Sequence, residues 1–336
     1  MKAKIILLLA TVAVICLSQF ETYSRTKPAR TKLEDSFSDP PVDSIRYGMV
    51  YVSHIALDNV SVLDPENNRV VRKIKSGMGA CCVELSSQLD HGYVADYTSN
   101  DIIVFDTKTG KTIATVPAGD HPSHLVLTSD ARYLLIGHES KDGLWFLDTR
   151  TNEVVKKLAE GTGILCRHEK GRKIYQSQIF TPFVYVINPE TQTIEKRINV
   201  GGRPLDLAYT PNQRYLYIAN YDLNEVEQID TESDSVVARI HGVNNARGIA
   251  VTPDGRFAYV TNVLSSTLTV IDLASAAIVK TIPVGTTPTS IVMRIDGRYA
   301  YVSCQGNASV FVIDTKTQEI TQSIVVDSNP ITLQVR

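Results

Sequence analysis

Short apolar runs separated by polar turns recur along this chain at a nearly constant interval. The clearest recurring stretch is the tetrad Tyr259-Val260-Thr261-Asn262, and its equivalents begin at Tyr51, Tyr93, Leu135, Tyr175, Tyr217 and Tyr301. The spacing is 42 residues at every step except one of 40. A second series keeps the same phase, with an acidic or amide residue after an apolar run, at Asp64, Asp106, Asp148, Asn188, Asp230, Asp272 and Asp314. Two series with one period indicate a seven-unit repeat architecture.

Each unit is predicted to contain four short β-strands. In the repeat that contains Tyr259, residues 247–252, 257–262, 266–272 and 278–283 are apolar, β-branched or alternating in character. The turn between the first two reads Pro-Asp-Gly-Arg, in which Pro fixes φ and Gly accepts a positive φ. A lone four-stranded unit exposes both faces, so the units must pack together. The predicted fold is an all-β, seven-bladed β-propeller with four-stranded antiparallel blades.

The two ends of the repeat region are complementary. The first repeat begins in its second strand, at residues 49–53, whereas residues 330–335 match a first strand that has no further blade to follow. We therefore predict that the C-terminal strand joins the first blade and closes the ring, which leaves no long unpaired edge.

The N-terminal residues have a different composition from the repeats. A basic start and a 13-residue apolar run at residues 5–17 predict a secretory signal peptide, residues 1–18, cleaved after Ser18. A retained anchor is the alternative. Residues 19–44 are polar and predict a flexible linker, and residues 45–336 form the propeller. The predicted location is extracytoplasmic, either periplasmic or secreted, with no transmembrane segment after removal of the signal.

Charge and cysteine usage exclude several classes of function. Lys and Arg total 34 and Asp and Glu total 36, without a basic run, which argues against a nucleic-acid partner. The cysteines after the signal are predicted to be small buried hydrophobes, because their spacing fits neither a zinc site nor a haem-attachment motif. They are Cys81, Cys82, Cys166 and Cys304. No cofactor is required for the fold, although a metal or haem is possible.

Candidate binding residues converge on one face of the predicted ring. In each blade the loop between strands two and three lies on the same face as the connection into the next blade, and we call this face the rim. The fourth tetrad position ends strand two on the rim, at His54, Asp96, His138, Gln178, Asn220, Asn262 and Cys304. The connections between blades add His121, His124, Arg203, Asp206, His241 and Arg247.

Histidine is the feature of the rim that suggests chemistry. It is the commonest transition-metal ligand and a general acid or base near neutral pH. We predict His121, His124 and His138 as metal ligands and the remaining rim residues as a ligand-binding surface. The alternative is that the fourth position holds Asn-like side chains that cap the loop backbone. No Ser-His-Asp order or paired carboxylates stand out, so no catalytic residue is predicted.

The literal Tyr-Val-Thr-Asn tetrad, the Val270-Ile271-Asp272 strand end, the Pro-Asp-Gly-Arg turn and the Val-Gly-x-x-Pro connection resemble the YVTN-repeat β-propellers. The resemblance covers residues 49–336 and concerns architecture. Members and relatives of that family include surface-layer proteins, extracytoplasmic binding proteins, and the propeller parts of redox enzymes such as amine dehydrogenases and nitrite reductases. It therefore implies a fold and an extracytoplasmic role, and it transfers no catalytic residue.

Two functional hypotheses follow. The first is a non-enzymatic, monomeric ring that binds a protein or a small ligand on its rim. The second is a metal- or haem-associated redox protein or enzyme subunit, or a lactonase- or lyase-like enzyme, with a site at the channel mouth. Fold alone does not choose between them, because propellers support both. The regularity of the repeats favours the scaffold.

Overall fold

The computed structural model describes residues 48–167 and 173–335, which form seven antiparallel sheets of four strands each. This confirms the predicted all-β propeller. The described residues include one short 3₁₀ helix, Gln305–Asn307. They contain no helix that is long and apolar enough to cross a membrane. The predicted signal peptide and linker lie outside the described residues.

The innermost strand of every blade begins at the rim and borders the central channel. These strands are β28 (Pro330–Val335) in blade 1, and then β4 (Ala80–Leu85), β8 (Pro122–Leu127), β12 (Leu165–Arg167), β16 (Pro204–Tyr209), β20 (Ala246–Val251) and β24 (Pro288–Met293) in blades 2 to 7. Each innermost strand contacts those of its two neighbours, and β28 contacts both β24 and β4. The inner strands therefore form a closed ring.

The second strand of every blade carries the tetrad and is almost completely buried. In order from blade 1 these strands are β1 (Val50–His54), β5 (His91–Asp96), β9 (Tyr133–His138), β13 (Ile174–Ser177), β17 (Tyr215–Asn220), β21 (Phe257–Asn262) and β25 (Tyr299–Cys304). Both faces pack against neighbouring blades, which is why the tetrads are apolar or small at nearly every position.

The third and fourth strands carry the blade outward to solvent. The third strands are β2 (Asn59–Asp64), β6 (Asp101–Asp106), β10 (Leu144–Asp148), β14 (Phe183–Asn188), β18 (Glu225–Asp230), β22 (Thr267–Asp272) and β26 (Ser309–Asp314). The outermost strands are β3 (Arg69–Lys75), β7 (Thr112–Pro117), β11 (Glu153–Leu158), β15 (Thr193–Asn199), β19 (Ser235–His241), β23 (Ala277–Pro283) and β27 (Glu319–Val325). The outermost strands are the most exposed of each blade, and six of the seven carry charged side chains, as expected of edges that must not pair with other chains.

The ring closes through the two ends of the repeat region, as predicted. Strand β28 pairs with β1 in antiparallel register, with Val335 opposite Val50 and Leu333 opposite Val52. Blade 1 therefore takes its innermost strand from the C-terminus and its other three strands from the N-terminal side.

The tetrad joins each blade to the next. In blades 4, 6 and 7 its first position supplies a tyrosine hydroxyl that donates to the outer turn of the following blade. Tyr175 donates to Asp234, and Tyr259 and Tyr301 donate to the Thr315 carbonyl and to Asn68 Oδ1, both at 3.3 Å. In blades 1, 4 and 7 the third position supplies a hydroxyl that donates to a carbonyl of the next innermost strand. Ser53, Ser177 and Ser303 do so to Cys81, Leu205 and Ile331.

Removing one of these tyrosine hydroxyls tests this role. We expect Tyr259→Phe to lower the free energy of unfolding by about 1 kcal/mol, because it deletes a single hydrogen bond between blades. Denaturant unfolding of the variant gives the value. Tyr133→Phe is the matched control, since no hydrogen bond to that hydroxyl is present among the described residues, and it should unfold like the parent. Equal losses in both variants would contradict the role.

Blade 4 is irregular, as the sequence indicated. Its innermost strand has three residues instead of six, and Gln176 replaces the usual Val or Ile of the tetrad. Gln176 is fully buried, and its Oε1 has no hydrogen-bond partner. The irregularity thus places a polar group in an otherwise apolar core.

Candidate functional site

In at least four blades the side chain at the fourth tetrad position binds the backbone of a rim loop. The side-chain oxygens of Asp96, Gln178, Asn220 and Asn262 accept backbone N–H groups from the connection that enters their own blade. The donors are Gly77, Thr162, Arg203 and Asn244, at 2.6, 2.9, 3.1 and 3.1 Å. These side chains are buried, so they hold the rim loops in place and present little surface to a ligand.

The two histidines at this position are also tied to the backbone of the rim. His54 places its ring nitrogens 3.2 Å from the Ser328 carbonyl and 2.9 Å from Ser61 Oγ, and burial lowers the pKa of His54 to about 4. His138 places its ring nitrogens 2.8 Å from the Gly143 carbonyl and 2.5 Å from the Ala118 carbonyl. Both rings therefore replace the capping Asn.

Cys304 completes this series as a buried thiol. Burial raises its pKa to about 12, while the backbone N–H of Gly285 acts in the opposite direction. Of the other cysteines, Cys81 is buried and Cys82 and Cys166 are half-buried. None of the cysteines that the structure describes forms a disulfide.

Two further rim histidines contact carboxylates. His121 places Nδ1 2.8 Å from Asp120 and its ring centroid 4.5 Å from that of Tyr97. His241 ends the outermost strand β19, where it is 74% exposed and contacts Glu225 at 2.9 Å. Arg203 is likewise engaged within blade 5, because it pairs with Asp222 at 2.8 Å and stacks over Tyr221 at 4.5 Å.

Metal binding by His121, His124 and His138 stays a prediction. Within residues 48–167 and 173–335, no group of three or more His, Cys, Asp or Glu side chains is arranged to hold a metal ion. His138 has both ring nitrogens at backbone carbonyls, so it would have to give up one of these contacts to become a ligand.

Along the channel wall, polar side chains of one innermost strand also accept hydrogen bonds from the backbone of the next. An innermost strand has one unpaired edge, and its N–H groups there need acceptors. The preceding blade supplies them. Asp206 Oδ2 accepts the N–H of Ile249 at 3.0 Å, and Ser290 Oγ accepts that of Leu333 at 3.3 Å. Glu84 Oε1 accepts the N–H of Leu127 at 3.1 Å.

Four polar residues at or next to the rim interact electrostatically, and we call them the mouth cluster: His124, Glu139, Asp206 and Arg247. His124 is on β8 of blade 3, and Arg247 is on β20 of blade 6. The charge of Arg247 acts on the pKa of each of the other three. Blades 3 and 6 are not neighbours in the ring, so the interaction between Arg247 and His124 crosses the channel.

Burial sets the protonation of the cluster. It lowers the pKa of His124 to about 3, and the charge of Arg247 adds to this effect. The ring is therefore neutral at physiological pH. Burial also raises the pKa of Asp206 to about 6 and raises that of Glu139, whereas Arg247 opposes both shifts. Glu139 accepts a hydrogen bond from the Tyr97 hydroxyl.

His124 and Arg247 differ from most rim residues, whose side chains bind the backbone or a neighbouring charge. No hydrogen bond to either ring nitrogen of His124 is found among the described residues. Within the same part of the chain, no carboxylate forms an ion pair with Arg247. These are the features of a site that can accept a ligand, because a guanidinium and an imidazole rarely stay without partners when they are half-buried.

The sequence placed His124, Asp206 and Arg247 on the rim but did not single out Glu139 or Tyr97. Glu139 directly follows the tetrad residue His138, and Tyr97 directly follows Asp96. Both open the loop after strand two. The position after the tetrad is therefore the sequence signal that identifies residues near the mouth.

Comparison with known proteins supports the propeller fold. The family model of the cytochrome D1 heme domain matches residues 182–290, about a third of the chain. This segment runs from blade 4 into blade 7 and contains Asp206 and Arg247. A search of curated protein sequences found no match.

Several solved structures share the fold at low sequence identity. Kuenenia stuttgartiensis hydrazine synthase is 17% identical with a TM-score of 0.71, over 86% of this chain and 99% of that one. A protein of unknown function from Desulfotomaculum acetoxidans is 13% identical with a TM-score of 0.74, over 85% and 98%. Dihydro-heme d1 dehydrogenase NirN in complex with DHE is 18% identical with a TM-score of 0.65, over 91% and 68%. At these identities the likeness concerns fold.

Proposed function

We propose that this propeller binds a carboxylate-bearing, haem-type tetrapyrrole at the channel mouth and takes part in redox chemistry. This is the second of the two hypotheses that the sequence left open. The observation that carries it is that the charge of Arg247 acts on His124, while neither side chain has a hydrogen-bond or ion-pair partner of its own among the described residues. The family-model match over Asp206 and Arg247 supports the same ligand class.

The chemistry of the mouth cluster fits such a ligand. A guanidinium binds carboxylates through paired, charge-assisted hydrogen bonds, so Arg247 would hold a side-chain carboxylate of the macrocycle. His124 is neutral because burial lowers its pKa to about 3, and neutral imidazole is the form that coordinates iron. When bound, the group would supply a one-electron iron centre. This chain would supply orientation and a protected channel.

Titration with haemin tests the proposal. We expect saturable binding of one haemin per chain, followed by the Soret band. Arg247→Ala should weaken binding about tenfold to a hundredfold, because it removes a charged hydrogen-bonding partner. His124→Ala should shift the Soret band, because it removes the imidazole that would bind the iron. Arg203→Ala is the matched control, a rim arginine that pairs within blade 5, and should bind like the parent.

The proposal is wrong if haemin binds equally to the parent, Arg247→Ala and His124→Ala, since non-specific adsorption would then explain the signal. It is also wrong if the folded parent binds no haemin. Circular dichroism of each variant separates loss of the site from loss of the fold.

A second candidate function is the interaction scaffold that the sequence favoured, and one observation supports it. Three successive blades present exposed apolar side chains at the rim. They are Phe180, Leu223 and Leu264, exposed by 60%, 42% and 65%. Apolar side chains clustered on one face are typical of a protein-binding surface. If the rim is such a surface, a Phe180→Ser, Leu264→Ser double variant should lose a partner that the parent retains.

The N-terminal assignment also belongs to the proposal. We infer that the chain is a YVTN-type propeller exported through residues 1–18. N-terminal sequencing of protein recovered from its native host should find Gln19 as the first residue. A chain that still begins at Met1 and fractionates with membranes would support the retained anchor instead.

A further inference from the structure

A cavity of about 380 Å³ lies between blades 5 and 6, on the face of the ring opposite the rim. The turns between the first and second strands of the two blades border it through Pro211 and Gly255. The outer turn of blade 6 borders it through Leu273 and Ala274. The cavity is separate from the mouth cluster, so a ligand bound there would be additional to the proposed function.

Tyr217, the first tetrad residue of blade 5, lacks the bond that its equivalents in blades 4, 6 and 7 donate to the outer turn of the next blade. It is 3% exposed, yet no hydrogen bond to its hydroxyl is found in the described part of the chain. Leu273 stands 42 residues before Thr315, the acceptor of Tyr259, and it lines the cavity instead. Because a buried phenol hydroxyl usually has a hydrogen-bond partner, this one is available to a ligand.

Gln228 is the second unusual residue at this junction. It lies opposite Tyr217 in the sheet, lines the cavity and is half-buried. In the other six blades the residue opposite the first tetrad position is Val62, Val104, Phe146, Val186, Val270 or Val312. Among the residues that the structure describes, none forms a hydrogen bond with the side-chain amide of Gln228. Blade 5 therefore has an unpaired polar group where every other blade has an apolar one.

The charged side chains at the edge of the cavity already have partners. Asp254 Oδ1 accepts the hydroxyl of Thr252 at 2.6 Å and the N–H of Arg256 at 3.0 Å. Arg256 places Nε 3.8 Å from Asp272 and its guanidinium 4.7 Å from the ring centre of Phe257. The groups left for a ligand are a hydroxyl and an amide, which are neutral and can both donate and accept. This chemistry favours a neutral ligand that carries hydroxyl groups.

The remaining lining supplies apolar surface. Tyr215, Pro211 and Leu273 border the cavity, and its volume is within the range of small-molecule sites. A sugar ring presents hydroxyl groups at its edge and C–H groups on its faces, so it matches both parts of the lining. We propose that this cavity binds a neutral monosaccharide, whose hydroxyl groups are held by the hydroxyl of Tyr217 and the amide of Gln228.

Titration of the full chain with monosaccharides tests the proposal. The probes are D-glucose, D-galactose, D-mannose and N-acetyl-D-glucosamine, and saturation-transfer NMR and calorimetry report their binding. At least one should bind saturably, at one site per chain, and should raise the Tm, because a ligand that binds only the folded state stabilises it. D-glucuronate should bind no more tightly than D-glucose, because the guanidinium of Arg256 is already paired.

Two variants and one control locate the site. Gln228→Val gives blade 5 the residue that five other blades have, so it should fold, and it should weaken sugar binding about tenfold. Tyr217→Phe removes a hydroxyl without a protein partner, so it should weaken binding about threefold to tenfold and leave the stability unchanged. Tyr259→Phe, the same tetrad position in the next blade, is the matched control and should keep the affinity of the parent.

Three results would overturn the proposal. The first is a folded parent protein that binds none of the four neutral sugars. The second is sugar binding that neither Gln228→Val nor Tyr217→Phe weakens, because the sugar would then lie elsewhere. The third is tighter binding of D-glucuronate than of D-glucose, which would contradict a neutral ligand. None of these results affects haemin binding at the mouth, which is measured separately.

Discussion

Deletion of residues 330–336 is expected to abolish cooperative folding of the ring. Strand β28 is the innermost strand of blade 1, so its loss removes the pairing with β1 and the contacts with β24 and β4. It also removes the side chains of Ile331 and Leu333, which are 5% and 6% exposed. Two buried aliphatic side chains alone contribute several kcal/mol, a large part of the stability of a typical domain.

Thermal unfolding followed by circular dichroism measures this effect. The truncated chain should show no sharp transition and should aggregate, because the open ring exposes the edge of β1 and the apolar faces of blades 2 and 7. A transition within a few degrees of the parent would show that the ring does not depend on its closing strand.

A point substitution tests the same closure without shortening the chain. Leu333→Asp places a charge at a position that is 6% exposed in the closing strand, whereas Val325→Asp makes the change at a position that is 78% exposed in β27. The first should destabilise by about 3 kcal/mol or more, since an unpaired charge is buried there, and the second by less than about 0.5 kcal/mol. Similar effects at both positions would argue against specific closure.

The fold followed from the sequence because every blade repeats the same local requirements. A period of 42 residues, four apolar runs in each period and a first strand left over at the C-terminus determine the number of blades, the strand order and the closure. The tetrad is informative for a physical reason. Tyr259 donates to the outer turn of the next blade, and Ser303 donates to the innermost strand of the blade that follows it, so tyrosine and hydroxyl residues recur at several of the junctions between blades.

The site was predicted less well because it is assembled from blades that are far apart in the chain. The repeat pattern shows that His124, Asp206 and Arg247 lie on the rim. It does not show that Arg247 of blade 6 acts electrostatically on His124 of blade 3. Nor does it show which polar residues are already used by the backbone. His54 and His138 looked like ligands in the sequence, yet both replace the capping Asn.

The second large effect that we expect concerns Asp96, the fourth tetrad residue of blade 2. In three blades the fourth tetrad residue has a polar partner seven residues later. His54 contacts Ser61, Asn220 contacts Glu227 and Asn262 contacts Thr269, at 2.9, 2.7 and 2.8 Å. In blade 2 the corresponding residue is Ile103, and Asp96 Oδ1 has no hydrogen-bond partner.

This arrangement makes the stability of the protein depend on pH. Burial raises the pKa of Asp96 from 3.8 to about 7, although the N–H of Gly77 opposes the shift. A carboxyl group whose pKa is raised by folding favours the folded state at low pH and loses that contribution as pH rises. The loss begins near pH 4, is complete just above pH 7, and amounts to about 4 kcal/mol at most.

Asp96→Asn should therefore stabilise the protein at pH 8 by about 2–4 kcal/mol and change little at pH 4, where the native carboxyl group is already neutral. Urea unfolding at both pH values measures the difference.

The double variant Asp96→Asn, Ile103→Thr recreates the Asn–Thr pair of blade 6 and should be at least as stable as the single variant at pH 8, because the new amide then has an acceptor. Asp222→Asn, at an exposed rim position, is the control for a general charge effect. If Asp96→Asn destabilises the protein equally at pH 4 and pH 8, the carboxyl group is ionised without cost, and the missing partner at Ile103 has no energetic consequence.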